Sequence, residues 1–463
     1  MNTTGRYQLI MAADRVPPAD SDDCIDHVDA GLSALRAYTD LQAGTWLAAD
    51  TGKTADSADA AHAAALLRSL CHHQPAAFPE GWFDDYLAVN RRLAATATCL
   101  AAEQAVIWVH GHRLQLLPGV MRRLRPDLGI VMQLHSAFPP AELFVRLPEH
   151  RELLSGLLGA DVVVLPYRRA AANLLDLAGR VHGLPVRDGQ IAVGNRRVRV
   201  LAYPMPADAA GIRRLARSGP VRARAQQIRA ALRVAGPVLL SVAGWDPAEA
   251  VEQRLVAFDR FLAEHRPAPA TIALLHVGYG EPRTPAEHDH RERVDRLIAK
   301  VNGTYAEVGQ PVVHYLRAAP DRRELTSLYL ACDALLATPD HHGTAAQAHE
   351  FVAAHGSAPV VVSELTCDGA DLPGAVVVNP HDTAAFSAAI ARVAGVSASV
   401  PLAGSAGTAP APEAWARRLM AVVRARAAAP AQANRRRQPA TAGSTRPAGH
   451  PAPHDNPRKI DAR

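Results

Sequence analysis

Short apolar runs recur along most of the chain, at Tyr7–Ala13, Ala105–His110, Ile130–His135, Asp161–Pro166, Val198–Tyr203, Pro237–Gly244, Ile272–Tyr279, Val312–Leu316, Ala334–Thr338, Pro359–Glu364 and Ala375–Asn379. They are bounded, unbroken by polar alternation and too short for buried helices, so each reads as a strand covered on both faces. Between most of them lie Ala-, Leu- and Arg-rich segments with helical spacing, among them Glu149–Gly159, Arg168–Val181, Glu252–Glu264, Arg291–Val301 and Arg322–Ala331. Strands that alternate with helices pack as parallel sheets with helices on both sides. The predicted class is therefore α/β, doubly wound.

Eleven such strands are too many for one small α/β domain, and the polar, Arg-rich helix around Arg222–Arg233 separates the fifth from the sixth. Two Rossmann-like halves follow, over residues 1–234 and 235–400. A helix within 401–429 directs Trp415, Leu419, Val422 and Val423 toward the body, and a Pro/Ala/Arg-rich, disordered tail occupies 430–463. Sheets of this kind bind ligands beyond the carboxyl ends of their strands, which makes strand-end residues the candidates for function.

With 463 residues, 48% of them hydrophobic, the chain is large enough for two or three cores and unlike a disordered protein. No apolar stretch approaches the roughly 18 residues of a membrane span, and the run Tyr7–Ala13 is too short for a secretory signal, so a cytoplasmic protein without membrane contact is expected. The cysteines Cys24, Cys71, Cys99, Cys332 and Cys367 form no paired motif and read as thiols. The formal charge of +5 resides wholly in the tail, whose seven basic residues face two acidic ones. Nucleic acid is thus not an expected partner except through that tail.

Several motifs fail on inspection. Thr51-Gly52-Lys53-Thr54 lacks the first glycine of a phosphate loop, Leu47 standing in its place. Gly278-Tyr279-Gly280 ends a strand but no third glycine opens a helix, and no serine elbow is present. His110-Gly111-His112, His135 and Asp340-His341-His342 close strands, yet strand-end histidines more often hydrogen-bond than ligate, and no metal or other cofactor is expected.

Val106–His110 through Leu114–Pro118, followed by Leu134–Phe144, resembles the trehalose-6-phosphate synthase family of retaining glycosyltransferases. The similarity runs from about residue 7 to 395: Asp14-Arg15-Val16-Pro17 is similar to the family's Asn-Arg-Val-Pro, and Val301–Tyr305, His314–Leu316, Thr338-Pro339, Ser363-Glu364 and Val378–Asp382 fall in order. The resemblance implies a GT-B fold, with an acceptor phosphosugar on the first half and a nucleotide-sugar co-substrate on the second. It implies acceptor-phosphate contact by Arg15, donor-sugar contact by His135 with His110 beside it, and donor-side roles for Arg283, Glu350 and Gly343. Arg113 is a further candidate for the acceptor.

Other family positions are substituted. The family's Asp-Arg-Leu-Asp-Tyr-Thr-Lys-Gly, whose Arg and Lys neutralise the donor diphosphate, reads Ala243-Gly244-Trp245-Asp246-Pro247-Ala248-Glu249-Ala250 here. Its sugar-binding Asp is Gly111, an Arg is Leu330, and its Arg-Asp-Gly-Met-Asn is His341-His342-Gly343-Thr344-Ala345. Exchanging a lysine for a carboxylate replaces attraction by repulsion of the order of 4 kcal/mol at 4 Å. Two readings follow: a hexosyltransferase with reduced or altered catalysis, or a non-catalytic homologue that assembles with itself or with an active synthase as a binding or regulatory partner.

Overall fold

The computed structural model describes residues 6–17, 27–49, 63, 66–67, 69–71, 78–268, 270–340, 346–356, 358–366, 372, 374–395 and 414–423. Its first sheet is made of β1 (Tyr7–Ala13), β2 (Thr45–Ala48), β3 (Ala101–His110), β4 (Gly129–Gln133), β5 (Val162–Leu165), β6 (Val186–Arg187), β7 (Gln190–Val193) and β8 (Arg196–Ala202). Ile10 and Ala12 of β1 enter one core while Leu9 and Met11 enter another on the opposite face. Burial on both sides is what the unbroken apolar run demands. The strand order is β2-β1-β3-β4-β5-β8-β7-β6, parallel through β8 and closed by an antiparallel ribbon.

The second sheet is wholly parallel: β9 (Val238–Ala243), β10 (Ala273–Gly278), β11 (Val313–Arg317), β12 (Ala334–Ala337), β13 (Val360–Ser363) and β14 (Val376–Val378), in the order β11-β10-β9-β12-β13-β14. It too is filled on both faces, Leu239 and Leu274 on one and Leu240 and Leu275 on the other. All eleven expected strands are present. Among the described residues three more strands were not expected: the edge strand β2, half-buried throughout, and the ribbon β6–β7, whose turn Asp188-Gly189 has φ of 50° and 70°. Two left-handed residues in succession match the right-handed twist of a tight hairpin.

The expected boundary near 235 is displaced. The helices Ala209–Ala216 and Gly219–Leu232 pack with Arg322–Ala331 and Ala346–His355 of the second half, and Ile212 and Ala225 join the second sheet's core. On packing, the seam therefore lies just before Asp208. The helix at 414–423 returns to the first sheet, where Trp415 stacks on Trp108 at 5.6 Å and on Tyr203 at 5.3 Å and Leu419 and Val423 are buried. The tail 430–463 lies outside the described residues. Among the described residues no helix is long and apolar enough to cross a membrane.

Candidate active site

In a doubly wound sheet the ligand crevice opens where successive connections leave in opposite directions. The strand orders place that point between β1 and β3 in the first sheet and between β9 and β12 in the second. The sequence candidates collect at these two points.

At the first, Asp14 and Arg15 follow β1 and both are exposed. His110, the last residue of β3, is 1% exposed, and its Nδ1 lies 3.1 Å from Nε2 of the half-buried His135 that follows β4. The two rings are parallel within 3°, and Trp108 stacks against His110 at 5.3 Å. Burial and the neighbouring His135 hold His110 well below the usual imidazole range, so it is neutral. Its Nε2 is buried without a partner. A buried orphan N–H is rarer than an orphan lone pair, which assigns the proton to Nδ1, donating to His135.

The residues after β3 are anchored from below. The Tyr86 hydroxyl donates to the His112 carbonyl, His112 Nε2 is 2.5 Å from Ser136 Oγ, and its Nδ1 is 2.9 Å from the Gln115 amide. Asn90 donates to the Arg113 carbonyl at 2.9 Å. Arg113, expected at the acceptor phosphate, is buried, only 3% exposed.

At the second point, Gly244 follows β9 with room to spare: a Cβ there would meet the Tyr279 ring at 3.8 Å, an ordinary contact. Asp246 accepts from Ala248 N at 2.9 Å and caps the short turn Pro247–Glu249. Burial raises the Glu249 carboxyl to about 7, against the lowering influence of Arg254. Arg254 itself is 1% exposed and donates to Thr338 Oγ1 at 3.2 Å, Ser241 Oγ at 2.9 Å and the Glu249 carbonyl at 2.5 Å. Its burial lowers it to about 10, so it remains a cation at neutral pH with all three nitrogens engaged. Asp340, after β12, donates its backbone N–H to Ala248 and binds His381 at 2.6 Å.

Glu350, expected to face the donor ribose, is instead 2% exposed, with Oε1 2.9 Å from Arg322 and Oε2 accepting from Tyr329 at 3.2 Å. A buried carboxylate needs such partners, and both of its oxygens are used. Arg283 is exposed, its backbone N–H held by Glu287 at the capping box of helix Pro285–Tyr305. Leu330 packs against the second core as an apolar side chain. Gly343, His342 and Ala345 lie outside the described residues. Among the described residues no cluster of three His, Cys, Asp or Glu side chains fits a metal ion. Sequence reasoning missed Arg254 and Arg322, although both sit on otherwise apolar helix faces, beside Val251, Leu255 and Phe258 and beside Leu325 and Tyr329.

A family model described as glycosyltransferase family 20 matches residues 39–399. The trehalose-6-phosphate synthase of Mycolicibacterium paratuberculosis is 39% identical over 313 residues, covering 65% of this chain and 64% of that protein. That of Mycobacterium ulcerans is 37% identical over 329 residues, covering 68% and 64%. The chain thus spans 64% of the length of these curated relatives. An alpha,alpha-trehalose-phosphate synthase (UDP-forming) from Burkholderia vietnamiensis superposes with a TM-score of 0.80 at 22% identity, over 92% of this chain and 98% of that one. The Burkholderia xenovorans enzyme, solved with glucose-6-phosphate, gives 0.76 at 22% identity, over 90% and 96%. The shared architecture is the GT-B fold.

Proposed function

Since the chain belongs to glycosyltransferase family 20, we propose that it transfers a hexosyl group from a nucleotide sugar to a phosphosugar such as glucose 6-phosphate, with a weakened hold on the donor diphosphate. The observation that carries this reading is the polar set at the first switch point. An exposed Arg15 suits a phosphate, and the hydrogen-bonded His110–His135 pair, in which His110 is neutral, suits sugar hydroxyls. This reading supports a cytoplasmic location.

In such a transfer the bond between the anomeric carbon and the diphosphate oxygen breaks, an acceptor hydroxyl oxygen bonds to that carbon, and the hydroxyl proton departs with the diphosphate. His110 fixes the His135 ring, so that His135 presents one defined edge to the donor sugar. Negative charge grows on the departing diphosphate and calls for fixed cations around it. Here Gly244 supplies none, Glu249 supplies a carboxylate that is about half ionised at neutral pH, and the Arg254 guanidinium is tied into the protein. Transfer is accordingly slow.

The same two substitutions support a second reading, a non-catalytic homologue that keeps the two-domain shape to bind a phosphosugar or a partner synthase. One assay separates them. Purified protein is incubated with a panel of nucleotide sugars and glucose 6-phosphate beside an active relative, and mass spectrometry reads free nucleotide and phospho-disaccharide. Slow product formation that Arg15→Ala abolishes is the expected result. No product from any donor, with the relative turning over in the same buffer, overturns the transferase reading in favour of the homologue.

A further inference from the structure

We propose that Asp14 supplies the carboxylate that holds the acceptor sugar's hydroxyls, in place of the side chain that position 111 lacks. This rests on the phosphosugar reading above and adds the residue that orients the sugar. The first observation is register: Ala12 of β1 faces Val109 of β3, so Asp14 comes opposite Gly111 just past the strand ends. The second is backbone conformation. Gly111 has φ 89° and ψ 166°, a region closed to L side chains, so no side chain fits at 111 in this backbone.

The third observation is occupancy of the space. A Cβ built on Gly111 would lie 3.4 Å from Asp14 Oδ2 and 3.5 Å from Oδ1. The Asp14 carboxylate therefore lies directly against the glycine, where a side chain from 111 would begin. The sequence shows the matching exchange: where the resembling pattern has Asn before its arginine and Asp after its histidine, this chain has Asp14 and Gly111. The carboxylate that the pattern carries after β3 is absent here, and one stands after β1 instead.

The position also fits the chemistry. Asp14 is exposed at the switch point, the adjacent Arg15 is exposed with it, and the Asp14 charge acts on the Tyr86 hydroxyl beneath Gly111. A carboxylate accepts two charge-assisted hydrogen bonds from neighbouring sugar hydroxyls but repels phosphate. With Arg15 alongside, only one orientation of a hexose phosphate satisfies both residues: hydroxyls toward Asp14 and phosphate toward Arg15. Asp14 then reads the stereochemistry of the hydroxyls, while Arg15 reads the phosphate.

Calorimetric titration of the full chain with glucose 6-phosphate, mannose 6-phosphate and inorganic phosphate tests this, using wild type, Asp14→Asn and Arg15→Ala. Asp14→Asn is near-isosteric and at an exposed position. It is expected to weaken glucose 6-phosphate by about 10-fold or more, to erase discrimination between the two hexose phosphates, and to leave inorganic phosphate unchanged or slightly tighter. Arg15→Ala should weaken all three. Glucose 6-phosphate binding that is unaltered in Asp14→Asn, or that falls in parallel with inorganic phosphate, overturns the role of Asp14 and leaves the phosphosugar reading standing. Wild type that binds neither hexose phosphate overturns that reading, and the inference with it.

Discussion

At the first switch point Asp14 and Arg15 stand exposed beside the His110–His135 pair; at the second, Arg254 is buried against Ser241, Thr338 and the Glu249 carbonyl, and Glu249 is half-buried. Both crevices come from the same strand-and-helix logic, so the difference lies in the side chains and not in the fold. A cation left in solvent pays little desolvation. A buried one must be satisfied by the protein, as Arg254 is by Ser241, Thr338 and the Glu249 carbonyl, and its charge is then structural.

The largest expected effect tests that assignment. Arg254→Met removes three hydrogen bonds and leaves Ser241, Thr338 and a carbonyl without their donor, so urea unfolding should show a loss of about 4 kcal/mol. Arg15→Ala, at an exposed position, should change stability by less than about 0.5 kcal/mol. Equal effects would erase the contrast between the two crevices.

Next is the pH dependence that Glu249 imposes. Its carboxyl is raised from 4.5 to about 7 in the folded protein, so between those values the native state holds a proton that the unfolded chain has released. Its contribution to stability is therefore present below about pH 4.5 and is lost as pH rises through about 7, amounting to about 3 kcal/mol. The stability difference between Glu249→Gln and wild type should grow across this window and be flat outside it. His110 and His276 act in the opposite sense. Both are lowered, His276 to about 3, so their contribution is present above about 6.5 and lost as pH falls. Taking the Gln variant against wild type cancels them.

Restoring cations at the second crevice sharpens the comparison through function. Gly244→Arg has room at its Cβ, which would meet nothing closer than the Tyr279 ring at 3.8 Å, and Glu249→Lys removes the repulsive carboxylate. The double variant should raise kcat/KM for the nucleotide sugar about 100-fold, equivalent to about 2.7 kcal/mol. No gain would mean that the second crevice does not hold a donor diphosphate.

The strands were legible because each is an unbroken apolar run, and their order put the candidate residues at strand ends. The ribbon β6–β7 was not read, although Asp188-Gly189 is a strong hairpin signal, because its flanks Arg187 and Gln190 are polar and its strands short. The seam was misplaced since the helix Gly219–Leu232 is mostly exposed and reads as a linker; Val221 and Ala225, few and small, are what commit it to the second half. Glu350 matched its family position in sequence, but no pattern reveals that Arg322 and Tyr329 arrive from another helix to occupy it. Likewise the loss at Gly111 was plain, whereas the gain at Asp14 became meaningful only when β1 and β3 were seen side by side.

The smallest expected effect concerns the histidine pair of the first crevice. His110→Phe keeps a planar ring against Trp108 but removes the Nδ1–H that His135 Nε2 accepts. His135 then loses that hydrogen bond, while the groups proposed for the acceptor phosphate are untouched. Steady-state transfer by the protein should fall about 10-fold in kcat with the KM for glucose 6-phosphate little changed. His110→Asn, whose side-chain amide can again donate toward His135, should recover part of that loss, which a simple packing role for His110 would not allow. If Phe and Asn are equally impaired, the pair is a stacking element of the core, and orientation of the sugar at the first crevice falls to Asp14 and Arg15 alone.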